Sequence, residues 1–261
     1  MKHLLQEKLL LTLEQWLQWH DPTVTLNYPL SRLTLTKISG QRLNAWGIVY
    51  RCGIAFGLAN NSNLPVIEVA CQLAQILSQE MEISPKQPSL EFTVRVINPG
   101  WLDFYLEERG LALWLDKLPQ LLPTLKLNKD QKQVSLFALE YAHGRCHSLL
   151  NLGNSQGLIK INSHQEWLEP LPIPWLDTNG NLRLRDLAEQ KLIEQLITTA
   201  HADSNWVKSA THLSESMLDF HRYCRIWGEV KETNLPLAQG RLGLLWLVQL
   251  FLKYLLDNKP L

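Results

Sequence analysis

Residues 136–150 read LFALEYAHGRCHSLL and sit near the middle of a 261-residue chain. His143 and His147 stand four apart, with Cys146 beside them. On a helix this spacing puts both imidazoles on one face, a geometry that holds zinc. No second ligand pair at metal spacing accompanies them, so a structural or surface role is expected and no metal. Just downstream, Gly153-Asn154-Ser155-Gln156-Gly157 fits the G-x-S-x-G pattern of a hydrolase nucleophile, with Asp203 and His212 or His221 following in the order of a triad. That elbow needs a strand before the serine and a helix after it. Here a helix precedes and the strand-like LIKI follows, so the glycines and asparagine are expected to end a helix and open a loop.

Working back from the central stretch, Leu111 to Leu122 suggests a short helix, joined to a linker that carries Pro119 and Pro123. Residues 90–108 read LEFTVRVINPGWLDFYLEE. Phe92, Val94 and Val96 alternate with polar neighbours, Asn98-Pro99-Gly100 supplies a turn, and Leu102, Phe104 and Leu106 alternate again, which predicts a hairpin. Val66, Val69, Ala70, Leu73, Ile76 and Leu77 trace one helical face, and Pro65 stands where a first-turn proline is tolerated. Between Val24 and Leu58 the segments TVTL, LTLTKI and WGIVYRC read as strands. Leu5, Leu9, Leu13 and Trp16 recur at helical spacing and predict an amphipathic helix over residues 3–19.

Composition narrows the function classes. The formal net charge is zero, with 11 Lys+Arg against 11 Asp+Glu up to residue 127 and 14 against 14 from residue 128. Bulk electrostatics therefore gives no case for a nucleic-acid partner, since phosphate binding is driven largely by basic surface. Cys52, Cys71, Cys146 and Cys224 show no C-x-x-C spacing and read as buried thiols of a reducing cytoplasm. Glu7, Lys8 and Glu14 interrupt the N-terminal leucines, so no signal-peptide core forms. The apolar run Leu242 to Leu256 is shorter than the roughly 20 residues of a membrane span and reads as a core helix, with no membrane partner expected. Ten tryptophans are many for this length, and most, like Trp16 beside Leu13 and Leu17, are expected in the core.

Tyr141, Ala142, His143 and Arg145 form a YAHxR pattern that resembles the opening helix of the DALR anticodon-binding domain of arginyl-tRNA synthetases. The similar helix starts near Lys129. LRLRDLAEQKLIEQLI (182–197), WVKSATHLSESMLDFHRYCRI (206–226) and LPLAQGRLGLLWLVQLFLKYLL (235–256) resemble later helices of that domain, with Phe220, His221, Tyr223, Cys224 and Arg225 in register. Gly240 and Gly243 stand where the family has alanines, weakening intrinsic helicity by about 1 kcal/mol each. YRCGIAFGLANN with LPVIEVACQLAQIL, and the hairpin at 90–108, resemble the N-terminal additional domain of the same enzymes. The linker from Asn151 to Asn181, with Trp167 and Trp175, has no counterpart.

The resemblance covers roughly residues 40–108 and 129–256, in order, with the catalytic domain missing between them. No H-x-G-H, K-M-S-K or G-x-G-x-x-G motif is present. The expected fold is an α+β domain over 1–127, a small antiparallel sheet with helices, followed by an all-α helical bundle over 128–261. The resemblance implies a non-catalytic cytoplasmic protein without cofactors that binds tRNA or a tRNA-like RNA. Its implied contact residues are Asn98, Trp101, Asp103, Tyr141, His143, Arg145, His221, Tyr223, Arg225 and Arg241. Asp103 replaces the family's amide, and a carboxylate repels phosphate. Trp101 suits either stacking on a base or packing on the neighbouring helix. Arg145 and Arg241 suit internal ion pairs as well as an RNA surface. The alternative is a protein-interaction or assembly factor that kept the scaffold and lost the RNA surface.

Overall fold

The computed structural model describes residues 2–20, 33–38, 48–83, 91–124, 136–200 and 206–258. Within these the chain is α+β, with a four-stranded antiparallel sheet in the N-terminal half and a helical C-terminal region. It forms two compact units, 1–113 and 114–261.

The first unit begins with α1 (Lys2–His20), whose Leu5, Leu9, Leu13 and Trp16 are buried at a spacing of three to four residues. β1 (Leu35–Ile38) and β2 (Val49–Cys52) follow. The TVTL segment lies outside the described residues. α2 (Ile54–Ser62) leads to α3 (Val66–Ile83), which starts immediately after Pro65, whose carbonyl accepts the first helical N–H bonds from Glu68 and Val69. Pro65 thus stands one residue before the helix, where its missing N–H costs nothing. β3 (Phe92–Ile97) and β4 (Trp101–Leu106) form the expected hairpin, turning through a cis Asn98–Pro99 peptide.

The strand order is β1-β2-β4-β3, antiparallel throughout. Side chains alternate across the pleat, so Leu102, Phe104 and Leu106 share one face while Trp101, Asp103 and Tyr105 share the other. α3 packs on β3 and β4 of the sheet and in turn on α1 and α2. Trp16 Nε1 donates to Gln72 Oε1 at 2.8 Å, pinning α1 to α3.

The boundary between the units falls inside α4 (Glu108–Leu121), not in the proline linker. Pro119 lies within that helix, because Leu115, Leu118 and Leu122 are buried at helical spacing and carry the turn past the proline. Asp116 on its second half accepts a bond from Trp175 Nε1 at 2.6 Å, which places that half with the C-terminal unit.

The second unit contains α5 (Phe137–Ser155), a two-stranded ribbon of β5 (Lys160–Ile161) and β6 (Trp167–Glu169), then α6 (Leu187–Ala200), α7 (Trp206–Tyr223), the single-turn α8 (Glu229–Thr233) and α9 (Leu235–Asp257). Residues near Lys129 lie outside the described residues. α6 begins five residues later than its sequence pattern suggested. Leu182 is held in a bridge to Leu176, and Asp186 caps the helix through Ala188 N at 2.8 Å while Glu189 Oε2 takes Asp186 N at 2.7 Å. Two otherwise orphaned N–H groups are thereby satisfied reciprocally.

α9 is the core helix. Buried residues lie all round it from Ala238 to Leu252, so its apolarity is accounted for by packing against α5, α7 and α8. By length and composition it is also the one helix, among the described residues, apolar enough to cross a membrane, and 67% of that stretch is buried inside the protein. The Asn151–Asn181 segment is no loose linker. Its Ile173 and Trp175 lie so close to α9 that a Cβ on Gly243 would stand 2.7 Å from Ile173 Cγ2 and 3.0 Å from Trp175 Cη2. Trp16, Trp114, Trp167, Trp175 and Trp206 are buried, whereas Trp19 and Trp101 are exposed.

The two helical glycines therefore differ. Gly243→Ala should lower stability by about 1–3 kcal/mol through overpacking. Gly240→Ala, whose nearest neighbour is Pro174 O at 3.6 Å, should raise it by up to about 1 kcal/mol through helix propensity. Urea denaturation of the two variants reads both signs, and equal effects would contradict this packing.

Candidate nucleic-acid interface

In the first unit the implied contacts cluster at the β3–β4 hairpin. Asn98 is exposed in the turn, and Trp101, 36% exposed, opens β4. The indole lies against Gly53, where a Cβ would come within 2.8 Å of Trp101 Cζ3, so glycine at that position lets the ring approach the start of α2. Phe56 meets it edge-on at 4.9 Å between centroids, and the Arg51 guanidinium stands 5.7 Å from the ring centre. Beside them opens a groove of about 610 Å³ lined in part by Thr34, Thr36, Arg51, Phe56 and Trp101. Trp101 thus packs on the neighbouring helix and keeps part of its surface at the groove.

Asp103 does not reach the surface. It is fully buried, and its two oxygens accept from Arg51 Nε and Nη2, each at 2.7 Å. The strand register explains why: Arg51 and Arg95 flank Asp103 on the adjacent strands, so the carboxylate sits in a row of cations across the sheet. The Asp103 bonds raise the Arg51 pKa above its ordinary value. Asp103 is therefore a scaffold residue that fixes Arg51 under Trp101, not an RNA contact.

In the second unit, Phe137, Tyr141 and Arg145 recur every four residues along one exposed stripe of α5. Phe137 and Tyr141 stack at 6.2 Å and are 71% and 55% exposed. Arg145 Nη2 lies 2.9 Å from His221 Nε2 in the last turn of α7. A guanidinium only donates, so His221 Nε2 must be the unprotonated acceptor. Burial first, and then the Arg145 charge, lower the His221 pKa below its ordinary value. Tyr223, 64% exposed, and the exposed Arg222 and Arg225 follow His221 in the chain, at and just past the end of α7. Exposed Glu140 and Asp219 on the same helices offset part of the cationic charge.

Two implied contacts fall away from this stripe. His143, two residues from Tyr141, points elsewhere on α5; burial chiefly lowers its pKa, with smaller effects from His147 and Lys253, opposed by Asp257. Arg241 is buried in an ion pair, Nε to Glu189 Oε1 at 2.6 Å, and Nη1 donates to the Arg225 carbonyl. It builds the bundle and so is not a surface contact. The sequence reading missed Phe137 and Arg51. Phe137 was signalled by its four-residue spacing from Tyr141; Arg51 depends on strand register, which no local pattern states.

The other candidate sites look different in three dimensions. Cys146 is completely buried, and His147 bonds Asn151 and Gln249. Ser155 lies in the last turn of α5 and donates to Leu152 O at 2.9 Å, with Gly157 in the left-handed conformation that closes the helix. This is a helix end and lacks the strand–turn–helix form of a nucleophile elbow. Asp203 lies outside the described residues.

Replacing Arg241 by Met, leaving Glu189 buried without a cation, should cost about 3–5 kcal/mol, and Glu189→Gln added to it should recover part of that loss. Thermal unfolding of the single and double variants checks this. His221 should titrate below its ordinary value of 6.5. Because the neutral form is favoured in the folded state, its contribution to stability is present above pH 6.5 and is lost as pH falls through the folded pKa. Arg145→Ala should move that pKa upward in an NMR titration of the imidazole; an unchanged value would remove Arg145 as a cause. The chain matches no protein-family model, no curated protein and no solved structure.

Proposed function

We propose that this protein binds structured RNA of the tRNA kind, without bond chemistry, through base stacking and arginine contacts. The observation that carries the reading is the exposed stripe of Phe137, Tyr141 and Arg145, whose guanidinium meets His221 near the end of α7, where Tyr223 and Arg225 are also exposed. Exposed aromatic faces accept unpaired bases, and the guanidinium groups beside them meet phosphate or stack in their turn. Arg145 leans on a neutral histidine, so it keeps its charge uncompensated by a carboxylate at that contact. The Trp101 groove of the first unit supports the same reading, since an aromatic face and a partly exposed Arg51 border it.

A second reading, a protein-interaction factor, draws on the formal net charge of zero. The two readings part on salt dependence. With three arginines on phosphates, the log–log slope of affinity against salt should be about −2 for single-stranded contacts.

Filter binding of total tRNA at low and moderate salt tests the proposal. Tyr223→Ala and Trp101→Ala should each weaken binding by about 5- to 150-fold, the value of one lost base stack. Absence of binding at micromolar protein and low salt would overturn the RNA reading in favour of a protein partner.

A further inference from the structure

A second recess lies within the C-terminal unit, away from the α5–α7 stripe in chemistry. It is a cleft of about 220 Å³ lined by Asp116, Trp167, Leu171, Pro172, Ile173 and Trp246. The Trp167 and Trp246 rings stand 5.8 Å apart between centroids and are inclined at 47°. Their orientations are locked from outside the cleft. Trp167 Nε1 donates to Pro170 O and Trp246 Nε1 to Gln165 O, both at 2.9 Å. With both indole donors satisfied, the rings have only carbon and π surface left to offer a ligand.

Asp116 is the one titratable residue in this lining. Its Oδ1 accepts from the buried Trp175 Nε1 at 2.6 Å, which fixes the carboxylate, and no described residue hydrogen-bonds Oδ2. Two inclined indoles and one anchored carboxylate are the elements of a cation-binding cage. An anion would meet repulsion here, and a neutral polar molecule would find few partners. A primary ammonium carries three donors and would find one carboxylate, so two N–H groups would be desolvated without compensation. A trimethylated nitrogen has no N–H to satisfy and takes its stabilisation from ring faces and a nearby negative charge. The volume lies below the roughly 300–1,000 Å³ of pockets that enclose whole drug-sized ligands, which suits a head group.

The geometry points to a binding site for a methylated quaternary ammonium group, held between Trp167 and Trp246 with Asp116 as its counter-ion. The group belongs either to a small choline-like molecule or to a trimethyllysine side chain. This site does not rest on the RNA reading, because its ligand is a cation.

The test uses the full chain labelled with 15N, following the indole N–H resonances of Trp167 and Trp246. Choline is titrated beside 3,3-dimethylbutan-1-ol, its neutral isostere, and a short trimethyllysine peptide beside the same peptide with unmodified lysine. Choline or the trimethyllysine peptide should shift both resonances, with the neutral isostere binding about 3- to 30-fold more weakly than choline. Tighter binding of the peptide assigns the group to a protein tail, and tighter binding of choline to a small molecule. Asp116→Asn keeps an acceptor for Trp175 and removes the charge; it should weaken binding of the cation severalfold and leave the isostere unchanged. Trp246→Leu should abolish the shift at Trp167. The proposal is overturned if the isostere binds as tightly as choline, if Asp116→Asn leaves the preference intact, or if no methylated ammonium shifts either indole at millimolar concentration.

Discussion

Glu189 serves two neighbours at once, and the C-terminal unit depends on it. One oxygen closes the start of α6 on Asp186 N; the other takes the Arg241 guanidinium from the middle of the core helix. Arg241 then reaches the carbonyl of Arg225, just past the end of α7. Three helices are thus located relative to one another by two buried side chains. Such a pair gains little net energy over well-packed hydrocarbons, but losing one partner leaves an uncompensated charge in a dry site. The local field is felt by Cys224 too, whose pKa is pushed up to about 12 by burial and by the Glu189 and Asp186 charges.

The sheet of the first unit shows the same device. Arg51 and Asp103 face each other across β2 and β4 and make a two-pronged contact, so the carboxylate is satisfied on both oxygens while fully buried. The pair also aims the Arg51 guanidinium at Trp101. In both units a charged residue whose sequence position suggested an RNA contact turns out to be structural. In both, its partner lies 52 residues away in the chain.

Much of the architecture was legible because it rests on local regularity. The leucine spacing of α1, the alternation of β3 and β4 and the continuous apolarity of α9 are each visible within a single window of residues. What escaped notice depended on contacts between windows. Pro119 reads as part of a linker from its sequence, yet it lies inside α4, where the buried leucines around it hold the turn. The Asn151–Asn181 segment looked like a linker because its prolines, asparagines and glycines are turn formers, yet Trp167 and Trp175 bind it to the core. Gly243 looked like a weakened helix position, and it is the place where that segment needs room. In the candidate interface, Tyr141, Arg145, His221 and Tyr223 are contacts the resemblance implies from sequence, and Phe137 is not among them, although it continues the four-residue spacing of Tyr141 and Arg145.

By itself the sequence determined the α+β class, the hairpin with Trp101 at its turn, the helical C-terminal region and many of the core positions of α1, α3 and α9. These follow from periodicity and turn chemistry, which act over a few residues. The tertiary structure alone decided which arginines and carboxylates face solvent. A charge is placed by whether a partner arrives to neutralise it, and for Asp103 and Arg241 the partner comes from a distant strand or helix. It also decided that two tryptophans and an aspartate from three separate segments would line one cleft, since a pocket is a property of packing and has no period along the chain.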